Sequence, residues 1–284
     1  MYKRVRQVLP FLLPGLIGIL LFYVVPFAWG FVYSLRDGGF ENKFTGLKNY
    51  INVWNNPMFR LGLKNTLLLS LIGAPLLWLL SFLSAVLLNR IRPAGAFFSG
   101  SVLLPYLMPS CAVLMIWLLW FDYGGPVNRL LVALGGERQM LLTGANLRLP
   151  IILMFLWKNL GFCVVIFTAA LEAIPEPLYE YADLEGASFM RKSFSITLPL
   201  IVPTAFLVLI LSWINAFRVF KEVYFISGAY PDEAVYTLQH YMNNMYGKLN
   251  YQNVTSGAYS FAVIVFALFA VLFFLQKRAQ RGLE

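Results

Sequence analysis

The amino-acid sequence predicts an all-α integral membrane protein, and three observations lead there. Hydrophobic residues fill 60% of the 284 positions and charged residues only 12%, where an ordinary soluble domain carries about 25% charged residues. Mean hydropathy is +0.70. Apolar runs of about 20 residues, the length that crosses a hydrocarbon core of about 30 Å, recur along the whole chain. They predict six transmembrane helices in a single membrane domain spanning 1–284, with no room for a separate soluble domain.

The first run, 9–35, follows Lys3, Arg4 and Arg6 and so resembles the start of a signal peptide. It is too long for one and ends without a small-x-small cleavage site, so it is expected to remain as the first helix. The second span, 62–89, and the third, 95–121, are separated by the short turn "NRIRPAG". The fourth is expected at 149–172, the fifth at 196–217 and the sixth at 255–276. Lys and Arg sit densely on short segments at Lys3, Arg4, Arg6, Arg90, Arg92, Arg191, Lys192, Lys277, Arg278 and Arg281. That density predicts a cytoplasmic location for both termini. Three longer connections, 36–61, 122–148 and 218–254, fall on the other side and carry the Gly, Asn, Tyr and Pro of irregular or short amphipathic segments. The inner connection 173–195 is long enough for one or two short helices. Prolines at 14, 26, 75, 105, 109, 199 and 203 each remove a backbone donor inside a span. Kinked helices around an internal cavity are therefore expected.

Several function classes are disfavoured. The net charge of +9 comes from short basic clusters beside apolar runs, a topology signal, so nucleic acid is not expected as a partner. Cys111 and Cys163 lie inside spans without metal or redox spacing and read as small core residues. There is no H-E-x-x-H zinc motif, and the lone His240 reads as a surface residue of an external loop. No P-loop occurs, because Gly247-Lys248 is followed by Leu249. No span holds a central carboxylate, Asp122 and Glu172 lying at span ends, so the ion relay of a secondary carrier is missing. Energy for uphill movement would enter from outside the chain.

Acidic residues concentrate in the inner connection, "EPLYEYADLEGAS". Pro177 suits the first turn of a helix, and Glu180 just after it lies well against the positive end of the helix dipole. On helical spacing Glu180, Asp183 and Gly186 or Ala187 share one face, while Leu178, Tyr181, Ala182 and Phe189 can supply an apolar surface. Gly186 permits a sharp change of direction before Arg191 and Lys192. By these residues alone the segment is either a solvated loop helix or a docking knob for a basic partner.

The run Glu180, Tyr181, Ala182, then Glu185, Gly186, Ala187, followed by Ile196, Leu198 and Pro199, resembles the E-A-A, three-residue step, G, I-x-L-P signature of binding-protein-dependent ABC importer permeases. "FTGLKNY", "LLPYLMPS", "LWKNLGF" and "FRVFKEVYFIS" are similar to the carbohydrate branch of that family. Tyr181 stands for the first Ala, Glu185 for the usual Asp, and "SGAYP" where relatives often have T-G-G-G-P. The resemblance implies a type I ABC importer permease architecture in which the loop 173–195 is a coupling element. Glu180, Tyr181, Ala182, Asp183, Glu185, Gly186 and Ala187 would dock into a cytoplasmic ATPase subunit. It further implies a second permease, two ATPase subunits, an extracytoplasmic solute-binding protein, and ATP and Mg held by the ATPases with no cofactor in this chain.

A sugar crossing the bilayer needs polar groups for its hydroxyls and aromatic faces for its CH surfaces, gathered near the midplane. Trp157, Lys158, Asn159 and Gly161 in the fourth span are candidates, with Trp213, Asn215 and Arg218 in and beyond the fifth. An intramembrane cation is functional by default, and Lys158 with Arg218 suits an anionic sugar or phosphorylated polyol. The alternative for these residues is snorkelling and interface anchoring. A self-sufficient secondary carrier and an intramembrane enzyme remain as rivals from other classes. Neither has a matching residue cluster.

Overall fold

Hydrocarbon offers no partner to a backbone N–H or C=O, so apolar runs close their own hydrogen bonds as helices. In the computed structural model, which describes residues 2–39, 43–90 and 95–281, helices dominate and no β-strand occurs among the described residues. Six helical segments are long and apolar enough to cross a membrane: Pro10–Ser34, Pro57–Asn89, Ser110–Ala133, Gly144–Glu172, Phe189–Ser227 and Tyr251–Ala279. The chain begins with α1 (Tyr2–Ile19), a π-helical turn at Leu20–Val24, α2 (Val25–Ser34), α3 (Lys48–Asn55) and α4 (Pro57–Arg90). Next come α5 (Gly95–Leu107), α6 (Ser110–Phe121), α7 (Pro126–Ala133), α8 (Arg148–Glu172), α9 (Pro177–Leu184) and α10 (Phe189–Lys192). A second π turn, Ser193–Thr197, leads into α11 (Leu198–Phe217), α12 (Phe220–Ser227), α13 (Leu238–Gly247) and α14 (Tyr251–Arg281). The turn expected at "NRIRPAG" has residues 91–94 outside the described residues.

Prolines act in two distinct ways. Pro26 and Pro199 each follow a π turn, at Leu20–Val24 and Ser193–Thr197. The wider i→i+5 turn makes room for the ring, which would otherwise strike the carbonyl four residues back. Pro109 breaks the helix outright. The expected single span 95–121 is two helices, because Pro109 sits extended at φ −55°, ψ 136° and disfavours helical geometry at Met108. The break starts a fresh helix at Ser110.

Two compact units divide the chain, Met1–Arg60 with Tyr241–Val265, and Leu61–His240 with Phe266–Glu284. In the first, Phe59 packs edge-on against Trp54 and Tyr241, with ring centroids 5.5 and 5.4 Å apart. The Trp54 indole donates to Ser260 Oγ at 3.2 Å. Asn49 Nδ2 donates to the Ser34 and Arg36 carbonyls at 2.8 and 2.7 Å, pairing acceptors that the end of α2 leaves open.

The second unit is built on α4, α8 and α11. Leu77, Ile151, Cys163, Val164, Phe167 and Val208 are completely or almost completely buried there. Trp78 Nε1 donates to the Ala205 carbonyl at 2.7 Å, joining α4 to α11. Gly161 lets α5 lie directly on α8, since a Cβ at this position would fall 1.8 Å from the Val102 carbonyl oxygen. Cys163 is buried as expected, but Cys111 is exposed on α6.

His240 is not the surface residue its loop suggested. It is 0% exposed, with Phe220 and Tyr236 ring centroids 4.7 and 5.5 Å away. Its Nδ1 accepts the Thr237 N–H at 3.1 Å. The connection folds inward because Asn65 Nδ2 grips the Glu233 and Tyr236 carbonyls at 2.7 and 2.9 Å. Burial pushes the imidazole down from 6.5 to about 4, so it stays neutral near pH 7.

Candidate transport path and coupling loop

A cavity of about 180 Å³ lies where α8, α11 and α12 meet the broken third span. Of the sequence-predicted path residues, Lys158, Asn159, Asn215 and Arg218 line it. Lys158 Nζ donates to Ser110 Oγ at 2.6 Å and pairs with Glu222 Oε1 at 3.3 Å. The two charged side chains are 18% and 13% exposed. At that burial an unpaired charge is strongly disfavoured, so the pair and its hydroxyl neighbour hold one another in place. Glu222 Oε2 is buried with no hydrogen-bond partner among the described residues.

The remaining predicted path residues lie elsewhere. Trp157 turns its ring toward Trp117 at 5.9 Å. Gly161 serves the α5 contact, and Trp213 stacks on Phe269 at 6.4 Å in a cluster with Ala74 and Leu272. Sequence reasoning missed Ser110, Tyr106, Lys221 and Glu222, all of which line the cavity. The sequence assigns Glu222 to the connection 218–254, yet it sits in α12, and Phe189–Ser227 forms one candidate span. A signal was present in the sequence: Glu222 is an acid four residues beyond Arg218, in a run otherwise rich in apolar residues.

The connection 173–195 is helical where Pro177 predicts, and Glu180 lies in the first turn of α9. Its end is a Schellman motif. The Ala187 amide donates to the Ala182 carbonyl at 2.9 Å and the Gly186 amide to the Asp183 carbonyl at 3.0 Å. Gly186 takes φ +72°, the left-handed conformation this motif requires. Ser188 then caps α10, its Oγ accepting the Arg191 amide at 3.4 Å. Glu180, Asp183 and Glu185 all face out. The exposed apolar surface differs in part from expectation: Leu178, Tyr181 and Leu184 are 42%, 68% and 85% exposed, while Ala182 is half-buried. Helical spacing explains this, because Leu178, Tyr181 and Leu184 are three residues apart on one stripe.

Residues 78–284 match the family described as binding-protein-dependent transport system inner membrane component. The chain is 34% identical to the polygalacturonan/rhamnogalacturonan transport system permease protein YteP of Bacillus subtilis, over 77% of this chain and 71% of that one. It is 31% identical to the trehalose/maltose transport system permease protein MalF of Thermococcus litoralis, over 88% and 86% of the two chains. With the sn-glycerol-3-phosphate transport system permease protein UgpA of Agrobacterium fabrum it shares 29% identity over 98% of each. The fold is that of a chain in the crystal structure of a bacterial ABC transporter involved in the import of the acidic polysaccharide alginate, with a TM-score of 0.82 at 24% identity over 97% of this chain and 96% of that one. A family match across most of the chain, with six membrane-crossing segments beneath it, makes this multi-pass membrane protein a member of the binding-protein-dependent transport system inner membrane components.

Proposed function

We propose that this chain is a permease subunit of an ATP-driven importer and conducts a sugar or oligosaccharide into the cytoplasm. The observation that carries the reading is the cavity between α8, α11 and α12, where Asn159, Asn215, Ser110 and the Lys158–Glu222 pair offer hydroxyl-binding groups between candidate membrane spans. ATP hydrolysis, with its Mg, belongs on this reading to cytoplasmic ATPase subunits gripped by Glu180, Asp183 and Glu185 beside the Leu178, Tyr181 and Leu184 stripe. A second permease and an extracytoplasmic binding protein complete the assembly, and both termini lie in the cytoplasm.

A finer reading of the cargo follows from charge. Arg218 and Lys221 line the cavity in addition to Lys158, while Glu222 neutralises only one of the three cations. A carboxylate- or phosphate-bearing sugar gains from that surplus and a neutral one does not. Named relatives transport polygalacturonan/rhamnogalacturonan and sn-glycerol-3-phosphate, and also trehalose and maltose.

The test is uptake by the co-purified complex in proteoliposomes, with trigalacturonate and maltotriose as probes. ATP-dependent entry of trigalacturonate, weakened by Arg218→Gln, is expected. Entry of maltotriose alone, unaffected by Arg218→Gln, removes the anionic reading and keeps the sugar reading. Entry of neither removes both.

A further inference from the structure

We propose that Tyr179 and Thr197 form a hydroxyl bridge through which movement of the α9 knob reaches the base of α11, and with it the cavity. The inference rests on the coupling reading above and names a positioning pair within it. Tyr179 Oη and Thr197 Oγ1 are 2.8 Å apart across 18 residues of sequence. Tyr179 is half-buried, and Thr197 is 6% exposed.

The bridge gives the knob a direct tie to α11 that the chain between them does not provide. Between α9 and α11 the chain passes through the left-handed Gly186, the extended Ser188 at ψ 159° and a π turn. Segments of this kind bend under load and do not carry displacement. Behind the knob lies a cavity of about 330 Å³ whose lining includes Leu171, Glu176, Tyr179, Lys192 and Thr197. Lys192 Nζ pairs with Asp183 Oδ1 at 2.5 Å, but the Asp183 side chain is 61% exposed. Exposed pairs contribute little and weaken in salt. The hydroxyl bridge, by contrast, ends on a buried residue.

Thr197 is also well placed to pass motion on. It is the last residue of the π turn and immediately precedes α11. That helix is 20 residues long, with Pro203 inside it, and reaches about 30 Å. Asn215 stands near its far end, with Arg218 just beyond, and both line the transport cavity. A shift at Thr197 therefore moves the cavity wall, whereas a shift of Gly186 or Ser188 can be absorbed in the loop.

The experiment places spin labels at Glu176, the exposed N-cap of α9, and at Leu207, in an otherwise cysteine-free chain within the purified complex in nanodiscs. Distances are measured with and without ATP plus vanadate. The unsubstituted chain is expected to give one narrow distribution that moves as a unit on trapping. Tyr179→Phe and Thr197→Val should each broaden it by about twofold, and the double substitution should be no broader than either single one, as for two groups acting through one bond. Thr197→Ser, which keeps the hydroxyl, should restore the narrow distribution. Narrow distributions in both single variants, additive broadening, or failure of Thr197→Ser to rescue overturns the proposal. Crosslinking from Glu180→Cys to an ATP-binding subunit separately tests whether the knob docks there, so loss of that crosslink removes the coupling reading while the bridge is still judged on its own distances.

Discussion

Gly161 shows how one missing methyl positions a site. Lys158 reaches Ser110 only because the broken third span lies tight against α8, and the approach of α5 leaves no room for a side chain at Gly161. Overpacking of this kind costs about 1–3 kcal/mol when neighbours can shift. Here the obstacle is backbone, the Val102 carbonyl, which shifts least readily. Gly161→Ala is expected to lower the thermal midpoint of the detergent-purified chain by several degrees. It should also move Ser110 out of reach of Lys158. Gly15, where a Cβ would meet nothing within 4 Å, is the control: Gly15→Ala, which also favours the helix, should not lower the midpoint.

At the scale of elements, the ends of helices and the prolines within them decide where the chain can turn. Pro26 and Pro199 soften their helices into π turns, Pro109 cuts one in two, and the Schellman motif stops α9. Gly186 carries that stop by conformation alone, since a Cβ there would meet nothing within 4 Å. The effect of substitution is then purely one of backbone: a left-handed alanine costs about 1 kcal/mol, and asparagine less, because its side chain tolerates that region. Gly186→Ala is therefore expected to speed hydrogen exchange of the Ala187 amide about fivefold. Gly186→Asn should speed it less. Equal exchange in all three chains would mean that the motif does not hold the end of α9.

Across the whole molecule, what was legible in the sequence is what depends on runs and local signals. Apolar length predicted six membrane-crossing segments, the third of which is Ser110–Ala133 and not 95–121; Pro177 and Gly186 bounded the knob; Lys158, Asn159 and Asn215 were recognisable as polar groups out of place in a membrane helix, and Arg218 as a cation just beyond one. The partner of Lys158 was not legible, since Glu222 lies 64 residues away and only the fold brings it within 3.3 Å. Nor was the burial of His240, which depends on Asn65 fastening a distant loop. Orientation in the bilayer depends on the distribution of charge. Arg191 and Lys192 flank the knob connection and Lys277 and Arg278 the end of α14, whereas Arg129, Arg138 and Arg148 are spread over the segment 122–148. Lys and Arg near short connections are retained on the cytoplasmic side, while longer loops cross largely regardless of charge. Two exposed residues report the two sides, Met190 beside the knob and Tyr230 in the loop after α12. In intact cells whose outer envelope has been permeabilised, a membrane-impermeant maleimide is expected to label Tyr230→Cys and to spare Met190→Cys until the inner membrane is opened. The reverse pattern would place the acidic knob outside the cell, where no ATPase driven by cytoplasmic ATP could grip it, and would overturn the coupling reading together with the orientation.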